Sequence, residues 1–401
     1  MKILILCPRL PYPLDKGDRL TVHRLIQYLS RKHEVGLITF LEPGQDPDWV
    51  GKFSDTCRSI SVQPLSRWRA YGHCALGLLG SKEALQVLYY RDRRLQALVD
   101  RGIAEQQPDL LYAHTIRMGP YISRVPGRPK ILALQISMAL NYRRLAQHAR
   151  SPWWRALYRI EHRRVRDYEA ELAREFDRCL LIGPSDLREI EKRGALDNVF
   201  FSPHGVDTEL FRPAPQRARN HDIIFTGNMS YRPNADAALY FASTIFPRVV
   251  ERIPDARFLV VGTSPDRSLR RLARHPGITV TGAVTDLAAY LRRAAVSVDP
   301  LRIGAGLQNK ILEGMAAGLP MVVTSVANEG IGAEHNLHLL VADQPDDFAR
   351  RVCELLLDRE RSDRIGRAAR QFILERWTWE HHFEQLEAMM QVLVDEHRAR
   401  R

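Results

Sequence analysis

Residues 296–324 read V-S-V-D-P-L-R-I-G-A-G-L-Q-N-K-I-L-E-G-M-A-A-G-L-P-M-V-V-T, and their pattern is the strongest indication of the architecture. A short apolar strand from Val296 stops at Asp299, and a glycine-rich turn follows it. The pattern then predicts a helix over 308–317, ended by glycine and proline, and a second buried strand over 321–324. Such a βαβ unit places its loop at the carboxyl end of a strand, where open α/β sheets bind ligands.

The loop has the composition of an anion site. Gly304 and Gly306 allow a tight turn and a close approach of the backbone to a ligand. Backbone amides of the turn and of the helix start would converge on one spot that suits a phosphate. Lys310 and Glu313 are three residues apart and therefore share a helix face. A cation near the turn and a carboxylate one helical turn further along suit a ligand that has a phosphate next to a ribose. The alternative is a surface salt bridge at helical spacing.

Residues 304–324 resemble the nucleotide-sugar loop of the retaining family 4 glycosyltransferases. The resemblance implies the GT-B fold, an α/β architecture of two facing Rossmann-like, doubly wound domains with a cleft between them. Further matches lie in order along nearly the whole chain. The G-A-G-L-Q-N-K variant most resembles sugar transferases of bacterial exopolysaccharide clusters, including those associated with exosortase sorting systems.

A length of 401 residues favours two domains. The segment V-F-F-S-P-H-G-V-D-T-E-L-F-R-P, residues 199–213, resembles the hinge signature of the family. We therefore predict an acceptor-side domain over 1–205 and a nucleotide-sugar-binding domain over 216–378. A terminal helix over 379–401 is expected to pack back on the first domain, and the last strand is expected over 337–342.

The first domain supplies two candidate site residues. Gly17 lies in a proline-rich loop after the first strand, and the resemblance places this glycine close to the donor phosphates. His114 ends a buried strand, where related enzymes that use hexose donors have a histidine in contact with the transferred sugar. The alternatives are a glycine that only permits a turn and a histidine with a structural role.

The second domain departs from the family pattern twice. Asn228 stands where an arginine is usual, so Arg232 is the only cation of its loop and is expected to share the diphosphate with Lys310. The alternative for Arg232 is a solvated loop residue. The family also has two glutamates eight residues apart, and Ala305 stands in place of the first, which leaves the identity of the sugar open.

The resemblance implies a metal-independent, retaining, hexosyltransferase-like enzyme without a cofactor, whose donor is a UDP-sugar rather than a GDP-sugar. The second substrate is a glycan or a lipid-linked acceptor. The predicted catalytic residues are Arg232, Lys310 and His114. The predicted nucleotide-sugar-binding residues are Gly17, Glu313, Gly304, Ala305, Gly306 and Leu307.

A net charge of +12 calls for an anionic partner or surface. Residues 143–166 contain eight arginines and one acid, Glu161, together with Trp153, Trp154 and Tyr158. This composition suits an anionic membrane surface. RNA could use the same pairing of basic and stacking groups, but nucleic acid is disfavoured because the chain has no recognised nucleic-acid motif. A solvated helix face is the remaining alternative.

Other features point to a cytoplasmic protein that associates with the inner face of the plasma membrane. No apolar run approaches the roughly 18 residues that span a bilayer, and the first strand is too short for a signal peptide. The five cysteines are odd in number and lack metal spacing.

Three other functions are compatible with the fold. A glycan phosphorylase would carry pyridoxal phosphate on a lysine, but such chains are typically much longer. A nucleotide-sugar 2-epimerase would act on the donor without an acceptor. A non-catalytic nucleotide-sugar-binding subunit is favoured by the missing glutamate at position 305.

Overall fold

The computed structural model describes residues 1–14, 17–78, 81, 83–148, 151–192, 194, 196–216, 220–303 and 307–400. The chain divides into two compact units. The first comprises Met1–Pro203 and Phe383–Arg401, and the second comprises His204–His382. The predicted site residues Gly304, Ala305 and Gly306 lie outside the described residues.

The described strands of the first unit form one seven-stranded parallel sheet of order β3-β2-β1-β4-β5-β6-β7. Its central strands are almost wholly apolar because helices cover both faces of such a sheet. The strands are β1 (Lys2–Cys7), β2 (Glu34–Leu41), β3 (Ser59–Pro64), β4 (Leu110–His114), β5 (Lys130–Gln135), β6 (Arg178–Leu181) and β7 (Val199–Phe201). The helices are α1 (Gly17–Leu29), α2 (Arg67–Leu78), α3 (Leu85–Tyr89), α4 (Arg93–Gln106), α5 (Met138–His148), α6 (Pro152–Ala173) and α7 (Pro184–Glu191).

The described strands of the second unit form a six-stranded parallel sheet of order β10-β9-β8-β11-β12-β13. The strands are β8 (Asp222–Thr226), β9 (Arg257–Val261), β10 (Ile278–Gly282), β11 (Val296–Asp299), β12 (Met321–Val323) and β13 (Leu340–Val341). The helices are α8 (Arg232–Tyr240), α9 (Phe246–Val250), α10 (Arg267–Leu272), α11 (Leu287–Arg293), α12 (Asn309–Ala316), α13 (Ser325–Asn328), α14 (Pro345–Leu357) and α15 (Arg359–Arg376). A π-helical turn, Phe241–Ile245, joins α8 to α9.

The last helix of the chain is α16 (Trp379–Ala399). From Phe383 onward its residues belong to the first unit. There Glu387 accepts a hydrogen bond from the Tyr28 hydroxyl at 2.7 Å and pairs with Lys32 at 3.0 Å. These contacts, together with burial of Leu386, Met390 and Leu393, attach the helix to α1 and its surroundings.

Each sheet reverses its strand order once. In the first sheet the chain starts at β1, adds β2 and β3 on one side, and then adds β4 on the other. In the second sheet β8, β9, β10 and β11 are arranged in the same way. This is the doubly wound order, whose ligands bind at the carboxyl ends of the strands where the order reverses. The predicted α/β class with two doubly wound sheets is confirmed.

The predicted last strand is wrong in length. Only Leu340–Val341 pairs with β12, instead of residues 337–342. A turn occupies the preceding residues, because Asn336 has a φ of 65° and its amide donates to the carbonyl of Leu339 at 2.8 Å. Asparagine is among the residues that tolerate this left-handed conformation, which a strand cannot contain.

Two further observations concern the chain as a whole. All five cysteines have free thiols. Among the described residues, no helix has the length and apolar character that would let it cross a membrane.

Candidate functional site

A cleft of about 400 Å³ opens in the second unit where its strand order reverses. It is bounded by the carboxyl ends of β8 and β9, the segment before α8, the start of α11 and the first turns of α12. The lining residues that carry the argument below are Thr226, Gly227, Asn234, Gly262, Lys310 and Glu313.

Two glycines bring the ends of β8 and β9 into backbone contact. A Cβ atom on Gly262 would lie 1.7 Å from the carbonyl oxygen of Gly227. A Cβ atom on Gly227 would lie 2.7 Å from the Asn234 amide nitrogen. No side chain fits at either place, so the wall of the cleft here is bare backbone.

Lys310 lies in the first turn of α12 and is buried, with 8% of its side chain exposed. Its ammonium group lies 3.2 Å from Asp299 Oδ1 and donates to Asn234 Oδ1 at 2.6 Å. The ring centroid of Phe225 lies 4.7 Å from the same nitrogen. Lys310 is therefore a buried cation held from three sides, and it does not form the alternative surface salt bridge with Glu313.

Asp299 is the last residue of β11, and its side chain is fully buried. Burial raises the pKa of this carboxyl group, and the nearby Lys310 ammonium opposes the rise. Burial also lowers the pKa of Lys310, which the attraction of Asp299 opposes. The two charges support one another, because either of them alone would be costly in this environment.

Glu313 lies one turn after Lys310, lines the same cleft and is partly buried. Burial raises the pKa of its carboxyl group from 4.5 to about 7, although Lys310 acts to lower it. An acid whose pKa is raised by folding costs stability as the pH rises from about 4.5 to about 7. Such a costly carboxyl group at a ligand-sized cleft is typical of a functional residue.

The structure places Arg232, the second predicted cation, at the start of a helix. It is the first residue of α8, it is exposed, and it is not among the described residues that line the cleft. A second arginine, Arg302, follows β11 and is likewise not among the described residues that line the cleft. Arg302 forks Asp236, with its closest contact at 2.8 Å, and covers the ring of Tyr240 at 4.2 Å.

The remaining predicted residues are divided between the units. Leu307 lines the cleft of the second unit. In the first unit, His114 ends β4 with 1% exposure, and its ring stacks on Tyr112 with centroids 6.4 Å apart. Gly17 is the exposed first residue of α1, and open space lies where a Cβ would be. The roles assigned to these residues stay predictions.

Comparison with known protein families matches residues 220–358 to the model described as "Glycosyl transferases group 1". The matched range contains every residue that lines the cleft. It also contains Asp299 and Asn234, the two polar partners of Lys310.

Curated proteins with similar sequences point the same way. An uncharacterised 44.6 kDa protein in the cps region of Klebsiella pneumoniae is 22% identical over 364 residues, 88% of this chain and 90% of that protein. A GDP-mannose-dependent alpha-(1-6)-phosphatidylinositol monomannoside mannosyltransferase of Mycobacterium tuberculosis is 29% identical over 212 residues. That match covers 47% of this chain and 54% of the mannosyltransferase, so it spans about half of each protein.

Solved structures share the fold over almost the full length. Sucrose-phosphate synthase from Thermosynechococcus elongatus has a TM-score of 0.72 and 15% identity, with coverage of 98% of this chain and 99% of that one. HepE from Anabaena, in complex with UDP-glucose, has a TM-score of 0.65 and 14% identity, with coverage of 98% and 100%. These solved structures show the fold of the chain, and the group 1 match lies within the second unit.

Proposed function

We propose that this chain transfers a sugar from a nucleotide-sugar donor to a glycan or lipid-linked acceptor, with retention of anomeric configuration. The observation that carries the proposal is the buried ammonium of Lys310, held at the edge of a cleft in the group 1 domain. A cation fixed in advance at such a cleft suits a ligand whose phosphates gain charge during the reaction.

The donor is assigned to the cleft of the second unit. Lys310 and the amides around Leu307 would face the diphosphate, with Arg232 as the second predicted cation. Glu313 would accept hydrogen bonds from the ribose hydroxyls. We propose a UDP-sugar as the donor, and the UDP-glucose complex of HepE supports this choice. The mannosyltransferase relatives named as GDP-mannose-dependent make GDP the alternative to test.

The chemistry follows from the leaving group. When the anomeric bond breaks, negative charge develops on the diphosphate. Asp299 and Asn234 hold the Lys310 ammonium in place, so it would be oriented in advance to stabilise this charge. Retention would arise from attack on the face that the diphosphate leaves, with a phosphate oxygen taking the acceptor proton. This route needs no protein nucleophile and no metal. His114 stays the predicted sugar contact of the first unit.

Donor turnover with and without an acceptor distinguishes the proposal from its alternatives. The purified protein is incubated with labelled UDP-glucose or GDP-mannose, alone and with a lipid extract that contains lipid-linked glycans. Label transferred to the extract supports a transferase. Donor epimerised or hydrolysed equally well without extract supports a 2-epimerase, and binding without turnover in either condition supports a non-catalytic subunit.

We expect the affinity for a nucleoside diphosphate to depend on Glu313 and on pH. Ribose hydroxyls donate to the ionised carboxylate, so affinity should rise as the pH increases through about 7, the pKa of Glu313. Glu313→Gln should weaken binding at pH 8 by about 1–3 kcal/mol and remove this part of the pH dependence. Calorimetric titration with UDP and GDP from pH 6 to 8 measures both effects, and unchanged affinity in a folded Glu313→Gln protein would exclude the ribose role.

The relative from a cps region supports a role in exopolysaccharide synthesis, and we propose an anionic membrane surface as the place where the chain acts. Arg155, Arg159 and Arg163 are all exposed, and their four-residue spacing places them on one face of α6. Trp153 at the start of this helix is 86% exposed, and Trp68 on α2 is 88% exposed. Exposed tryptophan beside arginine suits the headgroup region of a bilayer.

Changing Arg155, Arg159 and Arg163 to Glu should abolish sedimentation with anionic vesicles. Binding of the unmodified protein should weaken as salt is added, because salt screens attraction between surface charges. The control changes Arg267, Arg271 and Arg274 to Glu, since these exposed arginines at and after α10 give the same change in net charge. Equal binding to neutral and anionic vesicles would contradict the proposal, and tight RNA binding would favour nucleic acid instead.

A further inference from the structure

The first sheet has the same strand order as the sheet that carries the donor cleft, and its order reverses between β1 and β4. Arg9 follows the carboxyl end of β1, and Arg117 follows the carboxyl end of β4. Two arginines from distant parts of the sequence therefore flank the place where a doubly wound sheet binds a ligand.

Both guanidinium groups contact one tyrosine. The Arg9 Nη2 atom donates to the Tyr90 hydroxyl at 3.5 Å, and the Arg117 guanidinium carbon lies 5.2 Å from the Tyr90 ring centroid. The Tyr90 hydroxyl in turn donates to Glu42 Oε1 at 2.6 Å. We call Arg9, Arg117, Tyr90 and Gln86 the first-sheet cluster. Gln86 belongs to it because its Oε1 atom accepts from Arg117 Nε at 3.3 Å.

The two arginines of the cluster differ in their carboxylate partners. Arg9 pairs with Asp18 at 3.3 Å and with Glu42 at 3.6 Å, and Arg19 lies 3.8 Å from Glu42. Within the described part of the chain, no carboxylate lies within 4.0 Å of the Arg117 guanidinium. Among the described residues, Arg9 therefore has two carboxylate partners and Arg117 has none.

The cluster also has an unused donor. The Gln86 Nε2 atom is buried and has no hydrogen-bond partner among the described residues. Arg117 itself is only partly buried, so an incoming group can reach its free N–H donors. The Arg117 guanidinium, which has no described carboxylate partner, and the unsatisfied Gln86 amide therefore lie side by side. This arrangement is costly unless a ligand completes their hydrogen bonds.

We propose that the first-sheet cluster binds a phosphate group of the acceptor, and that the acceptor is therefore anionic. This proposal rests on the proposed function and specifies its acceptor class. The Arg117 guanidinium lies over the ring of Tyr90. In this position its remaining N–H groups form a fork that matches two phosphate oxygens. Two sources supply this chemistry, the headgroup of a lipid phosphate and a water-soluble sugar phosphate.

The test uses the full-length protein and two probes, farnesyl diphosphate for the lipid source and glucose 1-phosphate for the soluble source. Each is titrated into the protein alongside a neutral counterpart, farnesol or methyl glucoside. We expect one of the anionic probes to bind, with affinity at least roughly tenfold lower in Arg117→Gln because a charge-assisted pair is lost. Arg117→Lys keeps the charge without the fork and should give an intermediate loss.

Two controls fix the location of the binding. Arg101→Gln removes the charge of an exposed arginine on α4 and should bind the probe as the unmodified protein does. Lys310→Met should weaken UDP or GDP binding and leave the probe unaffected, whereas Arg117→Gln should show the reverse. A thermal melt of each variant verifies that it is folded.

Each outcome decides the proposal. Dependence on Arg117 with either anionic probe supports it and identifies the source. Binding that ignores Arg117, equal binding of neutral and anionic probes, or no binding of either anionic probe overturns it. A different result, the absence of donor binding and turnover in the unmodified protein, would contradict the proposed transferase function.

Discussion

Lys310→Ala should lower the rate of sugar transfer by about 10²–10³-fold, the effect of deleting one preorganised group that stabilises developing charge. Donor affinity should fall less, because the intact donor carries less charge on its bridging oxygen than the transition state does. Single-turnover rates and donor affinities measured on the same preparation separate the two effects. Normal turnover in the variant would show that Lys310 does not act on the leaving group.

Lys310→Ala has to be compared with a second variant, because it also breaks a buried ion pair. Loss of the Lys310 ammonium leaves Asp299 buried without its cation, and breaking a buried pair on one side costs about 3–5 kcal/mol of stability. Replacing both residues, as Asp299→Asn with Lys310→Met, removes both charges together. The double variant should recover most of the stability and none of the turnover. If turnover returned together with stability, unfolding alone would account for the loss of activity in Lys310→Ala.

The same measurements test Arg232. If Arg232 and Lys310 act on the same phosphates, the rate losses of Arg232→Ala and Lys310→Ala should be non-additive in the combined variant. Arg232 is exposed and is not among the described residues that line the cleft. Unchanged turnover in Arg232→Ala would assign it to the solvated surface.

Gly262→Ala should lower the free energy of unfolding of the second unit by about 3 kcal/mol or more, the upper part of the range for overpacked sites. The added Cβ would lie 1.7 Å from the Gly227 carbonyl oxygen, and backbone cannot move aside as a flexible side chain can. The ends of β8 and β9 would have to separate. Nucleotide affinity should fall with stability because these strand ends form a wall of the cleft.

Gly282→Ala is the matched control. Gly282 ends the adjacent strand β10 with a φ of 75°, and open space lies where its Cβ would be. The substitution therefore carries the cost of a left-handed backbone, roughly 1–2 kcal/mol, without a clash. Denaturant unfolding compares the two variants. A Gly262→Ala protein no less stable than Gly282→Ala would mean that the strand ends are not in fixed contact.

The sequence predicted the doubly wound sheets because their signals are local. Apolar strands, glycine-bearing loops and helix stops follow one another within short windows, as they do from Val296 to Thr324. Lys310 and Glu313 were found in the same way, since helical spacing alone places them on one face. Both residues lie in the cleft, as a shared face requires.

The partners of Lys310 could not be found so easily. Asn234 is 76 residues away in the sequence, and its contact exists only because the fold brings the start of α8 beside α12. Asp299 was interpreted as a strand stop together with Pro300. An acid that ends an otherwise apolar strand directly before a phosphate-type loop was the signal for the buried pair, and it was present in the sequence.

The buried pair of Lys310 and Asp299 also bears on product release in the proposed reaction. Asp299 Oδ1 lies 3.2 Å from the Lys310 ammonium, so under the proposed function the diphosphate would share this ammonium with a carboxylate of the protein. When the proposed nucleoside diphosphate product leaves, Lys310 would keep Asp299 as its counter-ion. Under the proposed function, such an internal counter-ion would weaken the binding of the donor and of the spent nucleotide, and it would favour faster release of the product.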